Sequence, residues 1–237
     1  AQSYVGNSSY STTCGLYSYS GNGWLTSRCF GYNATGNKIE NCHVMTTGLE
    51  ADGKHSTWVI DTSVTNTNTS KVSGGMFGSH SFTFGAEAVI DGCSYSFTNN
   101  YGNINECGAI LGSRAGNLST VTIKNTNVYC NGAIAGQPMI GWYGAMKCNL
   151  DISNCHVIVK ETKVKWGPLI FATEITGSYS KITLTNVSAH VPFLTTNSGL
   201  IGSGSCTYSD ISFNNCHVSG NFSDDNGSGF CNGTCEN

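Results

Sequence analysis

Short alternations of apolar and polar residues recur along the chain, and each runs into the same kind of residue. Val121-Thr-Ile-Lys ends at Asn125, and Ile182-Thr-Leu-Thr ends at Asn186. In an extended strand successive side chains point to opposite faces, so each stretch buries one face and wets the other. Aligned two positions before the endpoint, the copies are anchored by Ile39, Val59, Ile90, Ile123, Ile152, Leu184 and Phe213, at intervals of 20, 31, 33, 29, 32 and 29. The endpoints are Asn41, Asp61, Gly92, Asn125, Asn154, Asn186 and Asn215. Gly, Asn and Asp tolerate the left-handed backbone better than other residues, so this column predicts a corner in every repeat. Stacked Asn amides at such corners form a ladder.

A second apolar stretch follows five of the seven corners: Gly74-Gly-Met-Phe-Gly, Gly108-Ala-Ile-Leu-Gly, Gln137-Pro-Met-Ile-Gly, Gly167-Pro-Leu-Ile-Phe and Gly199-Leu-Ile-Gly. Short runs bounded by glycine suit a buried strand between tight bends. No run of ten residues carries helical periodicity. The expected fold class is all-β: a parallel β-helix (β-solenoid) of about seven coils with roughly 30 residues per coil. A β-propeller needs about 40 or more residues per blade, longer than this period. From Ile39 to Val218 the columns resemble those of right-handed parallel β-helix proteins, a resemblance of architecture rather than of family. Residues 33–219 then form the solenoid, between a Tyr/Ser-rich segment, 1–32, and a Gly/Cys-rich segment, 220–237. Each end segment is expected to cap the rod or to join it to a neighbour, because an open terminal coil exposes backbone and core.

Composition narrows the setting. Charged residues are 11% of 237, against about 25% in ordinary soluble domains, and the net charge is −3. Nothing in that balance draws the chain to nucleic acid or to an anionic membrane. No apolar run reaches the roughly 20 residues a membrane helix needs, so no membrane insertion is expected. The chain opens Ala1-Gln2, read as a mature start after signal cleavage. Its 12 cysteines without CxxC clusters point to disulfides and an oxidising, extracellular location, secreted or on the cell surface. Residues one coil apart stack, which makes Cys206 with Cys235 and Cys14 with Cys42 the expected pairs; part of the column Cys42, Cys93, Cys155 and Cys216 serves equally well as small buried thiols. Glycosylation sequons stand at Asn7, Asn33, Asn68, Asn117, Asn186, Asn221, Asn226 and Asn232, so covalent N-glycans are expected partners.

Candidate chemistry is sparse. Asn-Cys-His-Val occurs at Asn41–Val44, Asn154–Val157 and Asn215–Val218 and invites a metal reading. At about 4.8 Å per coil, however, His43 would lie roughly 19 Å from His156, and His156 roughly 10 Å from His217. Zinc ligands must sit about 2 Å from one ion, so no metal and no cofactor are expected. The acids Glu40, Asp61, Asp91, Asp151 and Asp210 are spread one per coil, Asp224-Asp225 is the only adjacent pair, and no catalytic residue is assigned. Thr65–Thr69, Thr120 with Thr122, and Thr183 with Thr185 suggest an ice-binding face, interrupted by Lys38, Glu40 and Asp151. Lys160, Lys163 and Lys165 form the one basic cluster, which suits a strand edge kept from unwanted pairing.

The leading expectation is an extracellular structural glycoprotein, not an enzyme, that self-associates end to end as a subunit of a fibre, sheath or surface coat. The alternative is a secreted carbohydrate-binding or polysaccharide-cleaving protein using Trp58, Trp142, Tyr143 or Trp166 as sugar platforms. Ice binding is the third.

Overall fold

The computed structural model describes residues 30–47, 76–78, 80–98, 108–131, 139–160, 163–164, 170–172, 175–194, 201 and 205–222. Thirteen strands follow in order: β1 Asn37–Glu40, β2 His43–Thr47, β3 Glu87–Asp91, β4 Ser94–Thr98, β5 Thr120–Lys124, β6 Asn127–Asn131, β7 Asn149–Ser153, β8 His156–Lys160, β9 Lys163–Val164, β10 Lys181–Thr185, β11 Ser188–Leu194, β12 Asp210–Asn214 and β13 His217–Phe222. One sheet stacks β1-β3-β5-β7-β10-β12 and a second stacks β2-β4-β6-β8-β11-β13, with β9 beside β11. Every pairing is parallel. A third, thinner ladder of single-residue bridges runs Phe77, Leu111, Ile140, Phe171, Ile201 through the glycine-bounded stretches. The chain is a parallel β-solenoid.

The register differs from the spacing in one place. Ile39 pairs directly with Ile90, so the copy around Val59 and Asp61, outside the described residues, does not come between them. Six levels are described, and the first turn uses 51 residues where the others use 29–34.

Alternation builds the interior. In β3, β5 and β10 the burial pattern places Ala88 and Ile90, Val121 and Ile123, and Ile182 and Leu184 inward, with Thr122, Lys124 and Thr183 less buried. Ile90, Ile123, Ile152 and Leu184 form one fully buried column, which meets Tyr95, Val128, Val157 and Ala189 from the second sheet. Each such side chain stabilises the fold by about 1.5–3 kcal/mol relative to exposure. The third ladder closes the core with Phe77, Leu111, Ile140 and Phe171. β11 contains Pro192, which has no N–H to give a ladder, and its pairing with β13 shifts register there.

Candidate functional site

The first corner joins the two sheets. Asn41, Gly92, Asn125, Asn154, Asn186 and Asn215 stand there with φ of 52°, 64°, 50°, 51°, 53° and 52°. Nδ2 of Asn215 donates to Asn186 Oδ1 (2.8 Å), Asn186 to Asn154 (3.0 Å), and Asn154 to Asn125 (3.3 Å). Asn125 reaches past Gly92, which has no side chain to offer, and donates to Asp91 Oδ1 at 2.8 Å. Gly92 is required by space as well as φ, because a Cβ there would lie 2.6 Å from Asn41 Oδ1. Asp91 also meets Lys124 Nζ at 3.1 Å, and these two donors hold its carboxyl below the usual carboxylate range. Asp61 lies outside the described residues. Every Nδ2 in the ladder points toward the N-terminal end of the stack.

Beside this corner, on the second sheet, His43, Ser94, Asn127, His156, Ser188 and His217 stack in register. His43 Nδ1 lies 2.8 Å from Ser94 Oγ, and His156 Nδ1 2.6 Å from Ser188 Oγ; one column over, His190 Nδ1 lies 2.9 Å from Ser219 Oγ. These are exposed ring-to-hydroxyl contacts between adjacent levels. Three levels separate His43 from His156, roughly 14 Å at strand spacing. Among the described residues no group of three His, Cys, Asp or Glu is placed to hold a metal ion.

The cysteine column one residue past the corner faces inward. Cys93 and Cys155 are buried, with Thr126 and Val187 in the same column, while Cys42 and Cys216 at its ends are half-buried. Burial pushes the Cys155 thiol up to about 12 and raises Cys93. In a separate column burial pushes Cys148 up to about 11, beside Ser119 Oγ at 3.7 Å. No disulfide joins described residues; Cys42 is a thiol donating to Glu40 O at 3.4 Å, and its expected partner Cys14 lies outside them. Cys206 is buried, and its expected partner Cys235, like Cys14, lies outside the described residues.

A second bend was not legible in the sequence. Asn33, Phe84, Leu118, Lys147, Tyr179 and Tyr208 form a column with φ of 49°, 58°, 56°, 51°, 58° and 55°. The bulky members of this column are forced into a conformation they avoid in isolation. Ladder bonds impose it, including Phe84 N to Asn117 O (2.9 Å), Leu118 N to Met146 O (2.8 Å), Lys147 N to Ser178 O (2.9 Å) and Tyr179 N to Thr207 O (3.0 Å). The result is a ridge of exposed apolar side chains: Phe84 is 49% exposed, Leu118 43%, Tyr179 54% and Tyr208 78%. Tyr32 packs on Phe84 at 5.2 Å, and Tyr179 stacks on Tyr208 at 5.3 Å and 21°. The two stacked tyrosines edge an open cleft of about 370 Å³ whose other polar walls are Lys147, Asn149, Lys181 and Asp210. The one sequence signal was Tyr179 and Tyr208 standing a single repeat, 29 residues, apart.

Other sequence candidates are dispersed. Trp142 and Tyr143 pack together at 4.9 Å with Arg114 over the Tyr143 ring at 5.7 Å, both rings half-buried; Trp58 and Trp166 lie outside the described residues. Among the sequons, Asn33 is exposed, Asn117 Oδ1 accepts Met146 N–H at 2.8 Å, Asn186 belongs to the ladder, and Asn221 lies in β13; Asn7, Asn68, Asn226 and Asn232 lie outside. Lys160 ends β8 and Lys163 begins β9, while Lys165 lies outside. On the first sheet Thr122 is followed in register by Asp151 and then Thr183, a mixed column rather than a threonine lattice. No helix among the described residues is long and apolar enough to cross a membrane. Compared with known protein families, curated proteins and solved structures, the chain matches none.

Proposed function

We propose that the chain is an extracellular structural glycoprotein whose subunits stack end to end into a fibre, sheath or surface coat. One observation carries the reading: burial of the core column falls off at both ends of the described stack. Ile90, Ile123, Ile152 and Leu184 are fully buried, but Phe213 above them is 37% exposed, and four of the five residues of β12 are exposed. At the other end Ile39 is also only partly buried. A second copy placed head to tail covers both at once. It also continues the ladder, with Asn41 of one copy donating to Asn215 Oδ1 of the copy below. Heterologous contacts of this kind do not close, and they give open filaments.

Negative-stain microscopy and light scattering of the purified native protein test the reading. Filaments or concentration-dependent growth are expected, and Phe213→Lys should lower assembly while leaving the β-sheet circular dichroism unchanged. A wild-type chain that stays monomeric at all concentrations sinks the proposal.

The Tyr179–Tyr208 cleft supports a second reading, carbohydrate binding. Stacked phenol rings offer flat apolar faces to a sugar ring, and Lys147, Asn149, Lys181 and Asp210 stand close enough to meet its hydroxyls. A glycan array compared between wild type and Tyr208→Ala decides it. Signal lost in the variant supports binding at the cleft, and no signal with either chain removes this reading.

A further inference from the structure

The cysteine column has one place where two cysteines occupy successive levels. Its register is fixed by Ser94 N to Cys42 O, Asn127 N to Cys93 O and Ser188 N to Cys155 O, each at 3.0 Å, and by His217 N to Val187 O at 2.9 Å. The column therefore reads Cys42, Cys93, Thr126, Cys155, Val187, Cys216. Cys155 lies between Thr126 and Val187, and Cys216 stands above Val187; only Cys93 stands directly above another cysteine.

Each upper thiol sits between a carbonyl of its own level and one of the level below: Cys93 Sγ lies 3.3 Å from Asp91 O and 3.9 Å from Ile39 O, Cys155 Sγ 3.2 Å from Ser153 O and 3.6 Å from Ile123 O, and Cys216 Sγ 3.6 Å from Asn214 O and 3.4 Å from Leu184 O. For Cys93, that lower level holds Cys42. Parallel in-register neighbours stand about 4.8 Å apart, inside the roughly 4.4–6.8 Å Cα separation that a disulfide spans. Cys42 is half-buried at the edge of the stack and accessible to an oxidant, whereas Cys93 is buried behind it.

We propose that Cys42 and Cys93 form a disulfide that closes the longest turn of the solenoid. Their link would enclose the 51-residue first turn at its base, where the parallel ladder already brings the ends of the turn together. The oxidant is a small-molecule disulfide such as oxidised glutathione. Cys42 Sγ gives its proton to solvent and attacks one glutathione sulfur, which releases one glutathione thiol and leaves a mixed disulfide. Cys93 Sγ, deprotonated in turn, attacks Cys42 Sγ and expels the second glutathione. Two protein thiols are oxidised, two glutathione thiols are formed, and the S–S electron pair of the oxidant leaves with them.

The test incubates the folded full chain with oxidised glutathione, blocks remaining thiols by alkylation, and maps cysteines by non-reducing peptide mass spectrometry. A cross-linked fragment joining Cys42 to Cys93 is expected, lost on reduction and retained in Cys155→Ser. In Cys93→Ser the expected product is Cys42 carrying one glutathione. Alkylation of both Cys42 and Cys93 in the oxidised wild type, or linkage of Cys42 to another cysteine such as Cys14, overturns the proposal. The wild-type map decides even where Cys93→Ser does not fold.

Discussion

Asn154 sits mid-stack in the corner ladder, and replacing it separates backbone strain from side-chain bonding. Its Nδ2 donates to Asn125 at 3.3 Å and its Oδ1 accepts from Asn186 at 3.0 Å, with φ at 51°. Both bonds are exposed, so each falls at the low end of the usual range, about 0.5 kcal/mol, and losing the pair costs about 1 kcal/mol. Asn154→Gly loses that pair and keeps the φ, but frees the unfolded chain by a further 0.5–1 kcal/mol or so, for about 1.5–2 kcal/mol in all. Asn154→Ala loses the same bonds and forces an L side chain into the left-handed region at about 1–2 kcal/mol, for about 2–3 kcal/mol. Urea unfolding followed by circular dichroism reads the difference. With an m-value of about 2 kcal/mol/M, the glycine variant should lose about 0.8–1 M in midpoint and the alanine variant about 1–1.5 M. The order is the diagnostic part. If alanine is no worse than glycine at equal m, left-handed strain does not select the residue at this corner.

Gly108→Ala should be severe, because its Cβ would fall 1.7 Å from Leu111 O and 2.2 Å from Gly141 N, both backbone atoms. A loss of about 3 kcal/mol or more is expected by the same unfolding assay, and a near-neutral result would mean the third ladder is looser than described. Asp91, whose folded pKa is lowered by its Asn125 and Lys124 donors, adds stability that is present above the ordinary carboxylate pKa and lost as pH falls through its lower folded value. Asp91→Asn should flatten the acid limb of melting temperature against pH, and an unchanged limb counts against the assignment. Cys155, pushed up to about 12 by burial, favours folding below the unfolded thiol pKa and loses that contribution as pH rises toward its folded value. Native Cys155 should resist iodoacetamide at pH 8 and react on unfolding, as followed by mass spectrometry; rapid native labelling would show that the column is open.

The corners were readable because Asn, Asp and Gly are chosen there for a local reason, namely tolerance of φ near 50°. Alternation at Val121 and Ile123 was readable because each inward position must be apolar wherever the sheet lies. The second bend obeys no such rule. Phe84, Leu118, Lys147, Tyr179 and Tyr208 share a backbone conformation but no chemistry, since hydrogen bonds from the levels above and below impose the turn on whichever residue is there. The Tyr179–Tyr208 cleft follows from that imposed column, so no local motif announces it. Spacing also did not reveal that Ile39 pairs directly with Ile90; Val59 and Asp61 lie outside the described residues. The Cys42–Cys93 adjacency was hidden by the same mismatch, because an intervening copy would have kept the two a level further apart.

Each described level pairs with the level before and the level after it, in the unbroken sheet order β1-β3-β5-β7-β10-β12. Melting of such an object resembles the unzipping of a row rather than the collapse of a sphere. Within the described stack a level at either end pairs with one described neighbour and an inner level with two, so opening is expected to proceed inward from the ends. Amide protons of β5 to β8 should therefore exchange last, and damage in the middle of the row divides it into two short stacks that are each less stable than the whole.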